Sequence, residues 1–181
     1  FLPGDRGIFD ADSIDEHIRP DDHHYPNSKL LVIENTHNRG GGAAWPMKQL
    51  ESVTKRARSH ELRCHLDGAR LWNAAVATGD APGTIAAHFD TISVCFSKGL
   101  GAPAGSVVAG DAVTMARVHR FRKMYGGAMR QSGLLAAACI HAMDHHVDRL
   151  ADDHERARRL AEAIDECPGF SVELDGVETN I

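Results

Sequence analysis

The sequence predicts an α/β fold organised around a mostly parallel sheet, and three observations carry that prediction. Short apolar-rich runs, Leu30–Ile33, Leu62–Leu66 and Thr91–Phe96, have the length of buried strands. Stretches of helical length separate them, punctuated by Pro46, Gly79, Pro82 and Asp111. Each apolar run is followed directly by polar or glycine-containing residues, as expected where a strand leaves a sheet for a surface loop. Strand–helix alternation of this kind lays helices against a parallel sheet.

Residues 1–27 are acidic and turn-rich, with one short helix near Asp12–Ile18 that Asp12 or Ser13 is placed to cap. The first strand is Lys29–Glu34. Gly40-Gly41-Gly42 must lie in a loop, because three glycines lose too much backbone entropy inside an element. Pro46 suits the first turn of a helix reaching about Arg58. A second strand ends at Asp67-Gly68, a helix Leu71–Thr78 is closed by Gly79, and a short helix spans Pro82–His88. The third strand is Thr91–Phe96 and the fourth Val107–Ala109, after which Asp111 caps a helix to about Tyr125. Two longer helices are expected over Ser132–His146 and Val147–Glu166, then a break at Pro168-Gly169 and a last strand at Ser171–Leu174.

Composition narrows the function classes. The 181 residues are 43% apolar and 25% charged, which is enough to build a core and excludes wholesale disorder. No apolar run approaches the ~20 residues of a membrane span, so no membrane partner is expected. The formal charge of -5 argues against a whole-chain polyanion binder. Cys64, Cys95, Cys139 and Cys167 are widely spaced, without zinc or redox pairing, and most read as small hydrophobes of a cytoplasmic protein.

Ligands of such sheets gather at the carboxyl ends of the strands, and three of these ends are polar: Glu34–Asn38, Asp67–Arg70 and Ser97–Pro103. A lysine directly after an apolar strand, followed by Gly99 and Gly101, has its amine at the edge of a mainly buried site. Burial there favours the neutral amine, which attacks carbonyls. That chemistry suits pyridoxal phosphate, an aldehyde that needs a lysine and an acid facing its ring nitrogen. A carboxylate ~4 Å from that nitrogen contributes ~4 kcal/mol at an effective dielectric near 20. Lys98 and Asp67 are the candidates. Arg70 is placed to grip a substrate carboxylate with its planar fork. Taken singly, Asp-Gly is an ordinary turn and Ser-Lys-Gly an ordinary surface loop; their succession on consecutive strands favours the functional reading.

Two other readings are weaker. His141 and His145 share a helix face near His146 and Asp148, but the pattern lacks the glutamate of a zincin, and no metal is expected. Arg117–Arg130 holds five Lys or Arg and no acid, a patch a nucleic acid could use, yet the whole chain is acidic and poor in aromatics. No nucleic-acid partner is expected.

Four blocks, Glu34–Asn38 with Gly41-Gly42, His65–Arg70 followed by Asn73, Ser97–Pro103, and Arg122–Gln131, together resemble the threonine aldolases. These are fold-type-I members of the pyridoxal-phosphate β-eliminating lyase group. The resemblance implies that residues 1–166 are the central part of the cofactor-binding large domain and 167–181 the start of a small domain. It implies that Lys98 binds pyridoxal phosphate covalently, Asp67 faces the ring nitrogen, and Arg70 holds the amino-acid carboxylate. Ser97, His37, Lys123 and Arg130 match positions around the cofactor, the last two where such pockets are shared between subunits, so a homo-oligomer is implied when the protein is complete. Ala128 replaces the usual third glycine of its block. The implied reaction is retro-aldol cleavage of a β-hydroxy-α-amino acid, threonine giving glycine and acetaldehyde. Family members extend further at both ends, so a fragment with little activity alone is expected; the rival is a folded remnant that does not turn over.

Overall fold

Residues 1–181 are described by a computed structural model. In chain order the elements are α1 (Asp12–His17), β1 (Leu30–Glu34), α2 (Met47–Ser59), β2 (Arg63–Gly68), α3 (Leu71–Thr78), α4 (Pro82–Ala86), β3 (Thr91–Cys95), β4 (Ser106–Gly110), α5 (Ala112–Met124), α6 (Gly133–His145) and α7 (Leu150–Asp165). A single 3-10 turn follows at Leu174–Gly176.

The sheet order is β1-β2-β3-β4, with β1, β2 and β3 parallel and β4 antiparallel to β3. Helical crossovers between the first three strands enforce the parallel pairing. Only residues 96–105 separate β3 from β4, too little for a crossover helix, so the chain turns back on itself.

Alternation along the strands divides the sheet into two unlike faces. Leu31, Ile33, Cys64, Leu66 and Val94 are buried on one of them. Leu50, Val53, Thr54 and Ala57, the inward stripe of α2, are buried, as are Leu71, Asn73, Ala74 and Ala75 of α3. The other face carries Leu30, Val32, Arg63, His65, Asp67, Thr91 and Ser93, and here Leu30 and Val32 are 54% and 52% exposed. Parallel sheets are usually covered on both sides. This one is open on the face that bears Asp67.

Most predicted elements form. Asp111 caps α5, its Oδ1 accepting from Thr114 N at 2.9 Å, and Gly79 closes α3 at φ +76°. Several details differ. No side chain caps α1, whose N-cap residue is Ala11. Helix α7 begins at Leu150, because residues 147–149 form a separate turn in which Leu150 N donates to Val147 O. No strand forms at Ser171–Leu174; Asp165 Oδ1 accepts from Val172 N at 2.8 Å and Arg158 donates to Leu174 O at 2.8 Å, so α7 satisfies these groups away from any sheet edge. All four cysteines are free, but Cys64 alone is fully buried, and burial pushes its thiol up from the usual range.

The two ends of the chain meet over the glycine loop. Arg6 donates to the carbonyls of Gly40, Gly41 and Gly176 and pairs with Glu178 at 2.5 Å. Thr179, wholly buried, donates to Gly42 O at 2.8 Å. Gly42 sits at φ +72°, and a Cβ there would come within 2.3 Å of Thr179 Oγ1.

Candidate active site

The carboxyl ends of β1, β2 and β3 form one edge. Strand register sets Glu34 beside Asp67 and Asp67 beside Ser93. Asp67 is half-buried; its Oδ1 accepts from Ala69 N at 3.1 Å, and Oδ2 has no protein partner. The next residue must be small: a Cβ on Gly68 would lie 2.9 Å from Ser93 O and 3.1 Å from Leu71 Cβ. That close approach lets α3 start immediately after β2, with half-buried Arg70 as its N-cap residue. The Arg70 guanidinium makes no hydrogen bond or ion pair.

Lys98 follows β3 in a loop whose backbone is tightly held. Phe96 N donates to Gly105 O, Gly101 N to Lys98 O at 2.8 Å, and Ala102 N to Phe96 O. Phe96, Leu100 and Ala102 are buried anchors, whereas Ser97, Lys98 and Gly99 face outward. Lys98 makes no ion pair either. Its exposure departs from the buried edge predicted for it, because no other part of this chain covers the loop at Ser97 and Lys98.

The remaining predicted residues are more dispersed. His37 stands in the loop after β1 with its Nε2 3.7 Å from Glu34 Oε2. Its Nδ1 is buried without a partner, against Gly7 and Gly40. Glycine is required opposite that ring, since a Cβ on Gly7 would sit 2.2 Å from Nδ1. Lys123 and Arg130 lie at the end of α5 and in the following loop, exposed and unpaired, on the chain segment that follows the edge strand β4. No contact brings them to Lys98. Residues that sequence reasoning did not assign to the site also gather there. Glu34 is the in-register neighbour of Asp67, and Asn73 with His154 lies behind the Lys98 loop. Strand pairing exposes the first; no signal in the sequence links residues 73 and 154.

This mixed four-stranded sheet flanked by helices has the architecture of the large domain of fold-type-I pyridoxal-phosphate enzymes. The chain belongs to the Beta-eliminating lyase family, whose model matches residues 1–181. It is 43% identical over 160 residues to the low specificity L-threonine aldolase of Escherichia coli, covering 88% of this chain and 47% of that protein. It is 38% identical over 177 residues to low-specificity L-threonine aldolase 1 of Arabidopsis thaliana, covering 97% of this chain and 49% of that one. A solved structure from Exiguobacterium, assigned as an aromatic amino acid beta-eliminating lyase/threonine aldolase, superimposes with a TM-score of 0.83 at 27% identity, over 99% of this chain and 48% of the other. The chain thus spans about half the length of the relatives it matches.

Proposed function

We propose that this chain carries the lysine, acid and arginine of a pyridoxal-phosphate-dependent lyase that cleaves a β-hydroxy-α-amino acid, threonine being the simplest substrate of that class. The observation that carries the reading is the placement of Asp67 near the carboxyl end of β2 and of Lys98 just after the adjacent parallel strand β3, each without a protein charge partner.

The donor set fits the cofactor. Two carboxylates, Glu34 and Asp67, stand side by side at the strand ends, and a protonated ring nitrogen is a cation suited to the free oxygen of Asp67. The exposed Lys98 amine is open to an aldehyde. Pyridoxal phosphate, when bound, supplies an electron sink for negative charge at the substrate Cα. The residues of this chain would do the rest. Lys98 would hold the cofactor through its side-chain amine. Asp67 keeps the proton on the ring nitrogen, and that fixed charge is a large electrostatic contribution to the barrier. Arg70 orients the substrate carboxylate through two parallel N–H donors. Ser97 directly precedes Lys98, and His37 stands in the loop after β1 beside Glu34.

Lys123 and Arg130 reach a site only across a subunit boundary in this reading. Support comes from α5 and α6: Val113, Phe121, Met124, Leu134, Ile140 and Met143 are exposed, although α6 is apolar along most of its length. A second copy of the complete protein would cover these faces. The free cysteines suit a cytoplasmic setting. The structure contains no helix long and apolar enough to cross a membrane.

The test is direct. Pyridoxal phosphate added to the purified chain gives the absorbance band of a lysine-bound cofactor, and Lys98→Ala removes it. L-threonine is then added to the chain and to a version extended to the length of its relatives, and acetaldehyde is measured. A band insensitive to Lys98→Ala would defeat the site assignment. A normal band with no aldehyde from the extended protein would favour the inactive remnant.

A further inference from the structure

We propose that the backbone loop carrying Lys98 is set in position by two histidines of the C-terminal helical region, His146 acting directly on the Leu100 carbonyl and His154 acting through Asn73. The consequence for cofactor capture rests on the function proposed above; the anchoring itself does not.

Residues 99, 100 and 101 are each met by a side chain from another part of the chain. His146, the residue that closes α6, donates from Nδ1 to Leu100 O at 2.7 Å. Its ring also lies against Gly101, where a Cβ would be 3.9 Å from Nδ1. Gly99 rests on Leu150 and Asn73: a Cβ there would be 2.7 Å from Leu150 Cδ2 and 3.5 Å from Asn73 Oδ1. Leu150 is 1% exposed and opens α7, so it gives this side of the loop a fixed floor.

Asn73 links the two halves of the site. It lies on α3, the helix that Arg70 begins, one turn further along, and it is buried. Its Nδ2 donates to His154 Nε2 on α7 at 3.0 Å. Accepting that bond requires His154 to be neutral at Nε2, and burial lowers its affinity for a proton in the same sense. The Asn73–His154 pair therefore ties α3 to α7, and Gly99 lies against the Asn73 side of that pair. Lys98 O accepts from Gly101 N, so displacement of residues 99–101 carries Lys98 with it. A lysine on a loop holds a bound aldehyde in register with an acid on a neighbouring strand only while that loop is fixed. His146 and His154 are positioning residues, acting on Lys98 through Leu100 and through Asn73 with Gly99.

Amide hydrogen exchange of the full chain reads the anchoring without any cofactor. His146→Ala and His154→Ala are expected to speed exchange at the hydrogen-bonded amides of Gly101 and Ala102 by about tenfold. Amides of the central strand residues Cys64 and Leu66 should stay protected. His146→Asn returns an amide donor near the lost Nδ1, and His154→Gln returns an acceptor near the lost Nε2, so these two restore slow exchange. Exchange at Gly101 and Ala102 that is unchanged in both alanine variants overturns the proposal, as does failure of both isosteres to rescue it. Uniform acceleration across the sheet, meaning general destabilisation, overturns it too. In a second arm, pyridoxal phosphate is titrated into the same variants. Weaker formation of the lysine-bound band in the alanine variants, recovered in the isosteres, extends the anchoring to cofactor capture. If the wild-type chain gives no band while loop exchange responds as described, the functional reading fails and the anchoring stands.

Discussion

Glu34 and Asp67 are in-register neighbours at the carboxyl ends of β1 and β2, so two acids stand side by side on the open face of the sheet. Glu34 has His37 3.7 Å away, whereas Asp67 has no cation within ion-pair range. Like charges on paired strands repel by a few tenths to ~1 kcal/mol. The arrangement costs stability and suits a site awaiting positive charge.

Asp67→Asn should separate stability from function. The amide oxygen can still accept from Ala69 N, and removing one of two neighbouring charges should leave the chain as stable or up to ~0.5 kcal/mol more stable. Cofactor capture by Lys98 should survive, but turnover in the full-length protein should fall by several kcal/mol of barrier, roughly a hundredfold or more. Urea melts and aldehyde release check the two halves, and near-normal turnover would remove Asp67 from its proposed role.

Arg70→Lys should raise KM for the amino acid with a smaller effect on kcat. A lysine replaces two directed N–H donors with one mobile point charge, and the loss falls on carboxylate binding. Steady-state kinetics of the full-length protein decides it; an unaltered KM would make Arg70 a structural residue of the α3 N-terminus.

Gly42→Ala should destabilise the junction of the chain ends. The alanine meets both a left-handed backbone, φ +72°, and Thr179 Oγ1 at 2.3 Å. A loss of ~1–3 kcal/mol is expected, with faster proteolysis near residues 176–181. Gly83→Ala, in helix α4 with open space around its Cβ, is the control and should be neutral to ~1 kcal/mol stabilising. Similar melting of the two variants would refute the packing argument.

His154 makes stability depend on pH with a definite sign. Burial lowers its folded-state affinity for a proton, with Asp153 partly opposing. The unfolded chain, with a histidine near its ordinary value of about 6.5, then binds more protons than the folded one just below that pH. Stability from this group is therefore fully present above about pH 6.5 and declines as pH falls below it. Denaturant midpoints at pH 7.5 and 5.5 should differ less in His154→Gln than in the wild type. An equal loss in both would show that His154 does not titrate in this way.

Much of this protein is written in short stretches of its chain. Leu31, Ile33, Cys64 and Leu66 alternate with outward residues, so the strands were legible from local apolarity and the order of turns. The ends of those strands showed Asp67, Arg70 and Lys98, since polar residues directly after an apolar run must lie at a sheet edge. Asp111 and Gly79 were readable because a cap involves only a few neighbouring residues. The strand expected at Ser171–Leu174 failed for the opposite reason: local apolar pattern says nothing of whether a sheet edge is within reach, and α7 satisfied those backbone groups instead.

Long-range packing decided the rest. The sequence determined which residues could form strands, helices and a polar edge at the strand ends, because those properties follow from side-chain chemistry and spacing over a few residues. Only the tertiary structure put Glu34 beside Asp67, left that sheet face open and Lys98 exposed to water, and seated Gly99 on Asn73 and Leu150. These are pairings across tens of residues. They are chosen by how β1 pairs with β2 and how α7 packs against α3, a collective result that no single segment encodes.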